Sequence, residues 1–189
     1  MAEIKAIETY YNGYRFRSRL EARWAVFFDA LDVEYEYEPE GFYLSSGKLY
    51  LPDFKVKCWG TRGTTSGPPE DLWIEVKGKM TPEDADKIRE FALSNPILIV
   101  HKIPEHGASY SWSKLSAGDR MNNIDIYPFN YELIDGDYFG AYPAADRYGH
   151  FYLWGDEGNY INDCDVPRVE KAYDLARQAR FEHGEKPNL

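Results

Sequence analysis

The chain has 189 residues, with 32 acidic and 22 basic side chains and a formal net charge of −10. This acidic balance argues against a general nucleic-acid coat or chromatin-like role, because such proteins use a broad basic surface. Hydrophobic residues make up 43% of the chain and aromatic residues 16%, which is enough for a core and excludes global disorder. The length fits one domain, with or without an appendage.

Cysteine usage and hydropathy favour a soluble, cytoplasmic protein. Cys58 and Cys164 form no CxxC pair, so neither a zinc knuckle nor a disulfide framework is expected. The first residues contain no apolar signal-peptide segment. No apolar run approaches the ~20 residues of a membrane span, so we expect no membrane partner.

The first part of the chain predicts a short strand or hairpin followed by an amphipathic helix. Residues 7–16 are rich in tyrosine and alternate loosely, with Asn12-Gly13 as a turn. Ser18 is suited to cap a helix over residues 19–31. The apolar face of that helix comprises Leu20, Trp24, Phe27, Phe28 and Leu31.

The next segments predict a series of strands. Residues 33–38 alternate apolar and acidic side chains, the pattern of a half-buried strand. Further strands are predicted at 42–44, 49–58 and 72–76, with Pro52 near the start of the second of these. Residues 59–71 are rich in Gly, Thr and Pro and predict a loop.

A second helix and a buried strand follow. Thr81-Pro82 is a strong helix start, and Asn95-Pro96 is a stop signal. Residues 97–100 are apolar throughout, as in a buried strand. A strand, a helix and a strand in this order predict a right-handed crossover and a parallel strand pair.

Beyond residue 101 the pattern becomes irregular. Strand-like pieces are predicted at 124–127, 138–139 and 151–154, with a hairpin turn at 156–159. A final helix is predicted between a cap at Asp165 and an end at Gly184. The predicted class is α/β (α+β), with a small mixed central sheet flanked by helices. We divide the chain into a core at 1–101, a β-rich extension packed on it at 102–165, and a C-terminal helix and tail at 166–189.

Asp53, Glu75 and Lys77 are the strongest candidates for chemistry. Alternate residues of a strand share a face, so Glu75 and Lys77 point the same way. With Asp53 on the neighbouring strand, the two carboxylates suit a hard cation such as Mg²⁺, and Mn²⁺ is the alternative. Lys77 would orient or deprotonate a metal-bound water, or hold a phosphate. The competing interpretation is an exposed ion pair on a strand face.

Pro52-Asp53 followed by Glu75-Val76-Lys77 resembles the PD-(D/E)xK, or restriction-endonuclease-like, nuclease superfamily. The resemblance covers residues 14–101 and implies a restriction-endonuclease-like core that cleaves phosphodiester bonds with a metal ion. The chain is also similar to small phage-type nucleases, and this similarity implies that the protein acts in a bacterial host cell. By the same resemblance, Glu21 on the first helix is the third carboxylate of the metal site. Ser18-x-x-Glu21 is also a capping box, so Glu21 either caps the helix, binds the metal, or does both in turn, capping without the metal and binding it when present.

The basic residues near this motif predict contacts with nucleic-acid phosphates. Arg15, Arg17, Arg19 and Arg23 form the densest basic cluster of the chain, and Lys79 extends it. The competing interpretation is that some of them balance the acidic side chains of residues 34–40.

The sequence therefore predicts a metal-dependent nuclease acting on DNA, at single strands, ends or branched structures. Its predicted catalytic residues are Glu21, Asp53, Glu75 and Lys77. One alternative is a non-catalytic module of a phage or mobile-element complex that keeps the nuclease fold. Another is a nuclease directed at RNA. A homodimer is compatible with each of these functions.

Overall fold

The computed structural model describes residues 6–59, 68–104, 131–134, 137–155 and 166–181. Within these ranges the chain forms eleven strands and three helices. The helices are α1 (Arg19–Ala30), α2 (Pro82–Ala92) and α3 (Val166–Gln178). The strands are β1 (Thr9–Tyr11), β2 (Tyr14–Phe16), β3 (Tyr35–Tyr37), β4 (Phe42–Tyr43), β5 (Leu49–Tyr50), β6 (Phe54–Cys58), β7 (Glu70–Val76), β8 (Ile97–Val100), β9 (Tyr131–Ile134), β10 (Asp137–Ala145) and β11 (Phe151–Gly155). No helix in the described ranges is both long and apolar enough to cross a membrane.

The predicted N-terminal hairpin and helix are confirmed. Strands β1 and β2 pair antiparallel, and the turn residues Asn12 and Gly13 both have positive φ, at 43° and 85°. That conformation suits a tight hairpin turn, which explains the Asn-Gly sequence. Ser18 has extended backbone angles and its hydroxyl accepts from the Glu21 N–H, so α1 begins where its cap predicts.

A mixed seven-stranded sheet forms the centre, in the order β11-β10-β9-β8-β7-β6-β3. Strands β7 and β8 are parallel, so the predicted parallel pair joined through α2 is confirmed. Strands β6 and β7 are antiparallel, with Phe54 opposite Ile74. A single parallel bridge between Phe151 and Cys58 also connects β11 with β6.

Both faces of the sheet are covered. On one face, Phe54, Ile74 and Leu98 pack in a cluster that includes residues of α1 and α3. On the other face, Trp73, Ile97 and Ile99 pack against α2 and the small β4–β5 sheet. Alternation along β7 therefore sends successive side chains into two different cores.

The prediction of one strand over 49–58 is wrong, because the chain divides there into two strands of different sheets. Strand β5 pairs with β4, whereas β6 joins the central sheet. Pro52 lies between them and has no N–H to donate to a ladder, which favours a break. The break frees Asp53 from regular pairing, and its carbonyl accepts from the Glu38 N–H at 2.8 Å.

The C-terminal strands extend the central sheet. Strand β9 pairs antiparallel with β8, and β10 pairs with both β9 and β11. The predicted pieces at 138–139 and 151–154 fall in β10 and β11, while 124–127, 156–159 and Asp165 lie outside the described residues. The division into 1–101, 102–165 and 166–189 stays a prediction.

The predicted end of the last helix at Gly184 is wrong, because α3 ends at Gln178. The chain then leaves the helix and buries Ala179. Phe181 follows and packs edge-on against Tyr11, with ring centroids 5.8 Å apart. The chain beyond α3 thus contacts the N-terminal hairpin.

Candidate functional site

The four predicted catalytic residues lie where several elements begin or end. Asp53 directly precedes β6, Glu75 lies near the end of β7, and Lys77 follows that end. Glu21 lies in the first turn of α1. Phe54 pairs with Ile74 in antiparallel strands. Asp53, one residue before Phe54, therefore lies beside Glu75, one residue after Ile74. The break at Pro52 and the end of β7 thus bring these two carboxylates together.

Asp53 is 4% exposed and bonds to two neighbours. Its Oδ2 accepts from the backbone N–H of Val76 at 2.7 Å, and its Oδ1 accepts from the Arg17 guanidinium at 3.0 Å. Burial raises the pKa of Asp53 well above its ordinary value, and the negative charges of Glu75 and Glu21 raise it further. The sensitivity of Asp53 to both charges places the three carboxyl groups in one electrostatic cluster.

Glu75 and Lys77 form a shielded ion pair. Glu75 is 3% exposed, which excludes the alternative of an exposed pair on a strand face. Its Oε1 lies 2.6 Å from the Lys77 ammonium, and its Oε2 accepts from the Tyr50 hydroxyl at 2.8 Å. Burial raises the pKa of Glu75, although Lys77 and Tyr50 oppose that rise. Lys77 also contacts Asp84 at 3.3 Å.

Glu21 takes part in the N-terminal cap of α1. Its Oε1 accepts from the Ser18 hydroxyl at 2.6 Å, and its Oε2 accepts from the Arg17 N–H at 3.0 Å and the Tyr37 hydroxyl at 2.6 Å. In a capping box the glutamate accepts from the N–H of the cap residue itself, whereas here it accepts from the residue before. The capping contacts are therefore present in a modified form, and metal ligation by Glu21 stays a prediction.

Negative charge exceeds positive charge in this cluster. Arg17 contacts Asp53 and Glu38, and Lys77 contacts Glu75 and Asp84. Among the described residues, these contacts and Glu21 bring five carboxyl groups together with two cations. In the part of the chain that the structure describes, no group of three or more His, Cys, Asp or Glu side chains is arranged to hold a metal ion.

The predicted phosphate-binding residues differ in their placement. Arg17 lies at the cluster, where its side chain is 55% exposed. Arg15 pairs instead with Glu8, and Arg23 donates to the Ala179 carbonyl at 3.4 Å, next to α3. Lys79 is exposed shortly after Lys77, and Arg19 is half-buried at the start of α1. The structure thus brings Arg17 into the cluster and gives Arg15 and Arg23 other contacts.

Three residues that contact the cluster were not predicted to take part in it. Tyr37, Tyr50 and Asp84 contact Glu21, Glu75 and Lys77, respectively. His101 Nδ1 lies 2.7 Å from the Lys77 carbonyl oxygen. The alternating pattern of residues 33–38 was a signal for Tyr37, and the capping spacing Thr81-x-x-Asp84 was one for Asp84. Tyr50 gave no comparable signal.

A concavity of about 740 Å³ lies away from this cluster, between the N-terminal hairpin, β3 and β6. Asn12, Tyr35 and Lys55 are among its lining residues, but none of the four predicted catalytic residues lines it. Its lysines are paired, Lys55 with Glu36 and Lys57 with Asp71. This concavity therefore contains none of the predicted catalytic residues, and the buried carboxyl groups remain the better candidate for a functional site.

Comparison with known proteins gave no match to any family model, curated protein or solved structure. The chemical capacity of the cluster therefore follows from its own residues. Asp53 and Glu75, with raised pKa values, lie beside the cations Arg17 and Lys77, and this arrangement suits the binding of a cation and of an anionic group side by side.

Proposed function

We propose that this protein is a metal-dependent nuclease that hydrolyses DNA phosphodiester bonds, as a cytoplasmic enzyme. The observation that supports this most is the buried cluster of Glu21, Asp53 and Glu75 beside Lys77. A fold built only for stability gains nothing from three acidic side chains at 3–7% exposure. Buried carboxyl groups with raised pKa values beside cations, such as Asp53 and Glu75, are more typical of functional sites.

The donor set suits Mg²⁺ or Mn²⁺. Both cations prefer oxygen ligands. Asp53 and Glu75 offer carboxylate oxygens from adjacent chain segments, one residue beyond the Phe54–Ile74 pair. The excess of carboxyl groups over cations favours the gain of a positive ion. Asp53 and Glu75 would hold it, with Glu21 as third ligand. When bound, such an ion acts as a Lewis acid and stabilises charge on the phosphate.

Lys77 acts as an ammonium group in this proposal. Burial lowers its pKa, but Glu75 and then Asp84 outweigh burial, and the net pKa is raised. A raised pKa favours the protonated ammonium form of Lys77. It orients the attacking water or holds a phosphate oxygen through an N–H donor.

Arg17 is the cation best placed to reach a substrate phosphate. Its guanidinium contacts Asp53, yet more than half of the side chain is exposed. Arg19 and Lys79 are the next candidates along the chain. An acidic protein with one local basic contact suits a substrate engaged at a narrow position, such as a single strand, an end or a branch.

Cleavage assays test the proposal directly. Purified protein is incubated with supercoiled, single-stranded and branched DNA and with RNA, in Mg²⁺, in Mn²⁺ and in EDTA. We expect metal-dependent cleavage of at least one DNA substrate and loss of cleavage in Asp53→Ala and Lys77→Ala. Asp86→Ala is the matched control, because Asp86 is an exposed acid on α2.

Each failure points to a specific alternative. Cleavage of RNA alone would replace DNA as the substrate. Binding of nucleic acid without cleavage in any metal would support the non-catalytic module. Equal cleavage by wild type and both variants would place the active site elsewhere.

A further inference from the structure

Two tyrosine hydroxyl groups donate to the carboxylates of the cluster, one to Glu75 and one to Glu21. The Tyr50 hydroxyl donates to Glu75 Oε2 at 2.8 Å, and the Tyr37 hydroxyl donates to Glu21 Oε2 at 2.6 Å. The two tyrosines come from separate sheets, since Tyr50 ends β5 and Tyr37 ends β3. Two unrelated elements therefore make the same type of contact with neighbouring acidic groups.

Both tyrosine rings are anchored by aromatic packing. The Tyr50 ring centroid lies 5.0 Å from that of Phe91 on α2, and the residue is buried. The Tyr37 ring lies 4.5 Å from Phe16 and 5.3 Å from Phe54. Edge and tilted contacts of this kind fix the direction of the ring, and hence the position of its hydroxyl.

The two carboxylates differ in the other donors that hold them. Without the Tyr50 hydroxyl, Glu75 would still contact the Lys77 ammonium through its other oxygen. Glu21 retains two donors, the Ser18 hydroxyl and the Arg17 N–H. Loss of the tyrosine hydroxyl should therefore release the Glu75 carboxylate more than the Glu21 carboxylate.

We propose that Tyr50 and Tyr37 are positioning residues, which orient Glu75 and Glu21 for binding a divalent cation. This inference rests on the proposed function. Each hydroxyl holds one carboxylate oxygen and so fixes the rotation of the whole carboxyl group. Partners behind a metal ligand commonly contribute about 10- to 100-fold to metal affinity or activity.

The test uses full-length Tyr50→Phe and Tyr37→Phe proteins, which keep the aromatic rings. Tyr35→Phe is the matched control, because Tyr35 lies on the same strand as Tyr37 and its hydroxyl lies near Asn12 and Asp29 rather than at the cluster. Titration calorimetry with Mn²⁺ measures binding without DNA. Cleavage at varied Mn²⁺ and varied DNA then separates metal dependence from the KM for DNA.

We expect Mn²⁺ affinity to fall about 10-fold or more in Tyr50→Phe, and less in Tyr37→Phe. The KM for DNA should stay unchanged, and Tyr35→Phe should bind Mn²⁺ as wild type does. A purely structural role would lower Tm without moving Mn²⁺ affinity, so Tm is measured on the same samples.

The outcomes separate this inference from the proposed function. If wild type binds Mn²⁺ and cleaves DNA while both variants match its affinity, the positioning role is overturned and the nuclease stands. If wild type neither binds Mn²⁺ nor cleaves, the nuclease proposal fails, and the positioning role fails with it. A similar loss of affinity in Tyr35→Phe would assign the effect to general packing and also overturn it.

Discussion

Asp53 sits in a place where its negative charge is unfavourable. It is almost fully buried next to Glu75 and Glu21, and the Val76 N–H and Arg17 compensate only in part, so its pKa is raised. A residue that is retained at the expense of stability is typical of a functional site. At the residue scale, the unfavourable burial of the Asp53 charge is the clearest sign that the cluster has a function.

The stability of Asp53→Asn relative to wild type should therefore rise with pH, although asparagine keeps only one acceptor oxygen for the Val76 N–H and Arg17. Because the pKa of Asp53 is raised in the folded state, its carboxyl group contributes stability that is complete below the unfolded pKa of ~3.9. That contribution is lost as pH rises through the folded pKa. Asparagine does not titrate, so the relative stability of the variant should grow with pH across that window. Urea unfolding at several pH values measures it.

The matched control for this prediction is Asp86→Asn, since Asp86 is largely exposed on α2. Its stability should stay within about 0.5 kcal/mol of wild type. An Asp53→Asn protein whose stability relative to wild type does not rise with pH would contradict the prediction.

Lys77 and Lys87 offer a second comparison between a buried and a surface ion pair. Lys77→Met leaves buried Glu75 without its cation, which should cost about 1–3 kcal/mol at neutral pH. Lys87 pairs with exposed Glu83 one turn away, so Lys87→Met should cost less than about 0.5 kcal/mol. Removing Lys77 raises the pKa of Glu75 further, and the loss should therefore increase with pH. Equal losses in both variants would contradict the burial argument.

At the scale of elements, two capped helices begin at the cluster. Ser18 caps α1 next to Glu21, and Thr81 caps α2 next to Asp84. The partial positive charge at each helix start favours nearby carboxylates. The helix starts therefore help to stabilise the excess negative charge of the cluster.

Ser18→Ala should cost about 0.5–2 kcal/mol of stability, because α1 loses its cap and Glu21 loses a donor. Thermal unfolding measures this cost. Ser94→Ala is the control, since Ser94 is exposed after α2, and its effect should stay within about 0.5 kcal/mol. If the two variants have the same Tm, the capping argument is wrong.

Local signals in the sequence predicted the elements that depend on local physics. Ser18, Thr81 and Asn12-Gly13 marked their boundaries correctly, because caps and tight turns involve residues a few positions apart. The break at Pro52 was missed, since apolar residues continue on both sides and only sheet partners show that β5 and β6 diverge. The end of α3 was missed because residues 168–183 contain no Gly or Pro that would mark it.

The same distinction holds for the candidate site. Asp53, Glu75 and Lys77 were found because strand alternation and a short motif place them together. Tyr50 lies 25 positions from Glu75, and its contact depends on how the β4–β5 sheet packs on α2. No periodic pattern within one element contains that information.

At the scale of the whole molecule, the C-terminal helix is part of the same core as the predicted nuclease motif. Tyr173 on α3 stacks on Phe27 of α1, with ring centroids 4.5 Å apart, and contacts Trp24 edge-on. The Trp24 indole N–H donates to the His101 carbonyl at 2.7 Å, and the His101 ring meets the Lys77 carbonyl. A continuous series of contacts thus leads from α3 to Lys77.

Tyr173→Ala should accordingly destabilise the entire protein, by about 3–5 kcal/mol, because it removes a buried aromatic side chain. Lys171→Ala, two residues earlier and exposed, should change stability by less than about 0.5 kcal/mol. Urea unfolding followed by tryptophan fluorescence and by circular dichroism measures both variants. If α3 and the sheet form one cooperative unit, the two signals should shift together to lower urea. A fluorescence transition that moves alone would mean that α3 unfolds separately, and the C-terminal helix would then be an appendage to an independent core.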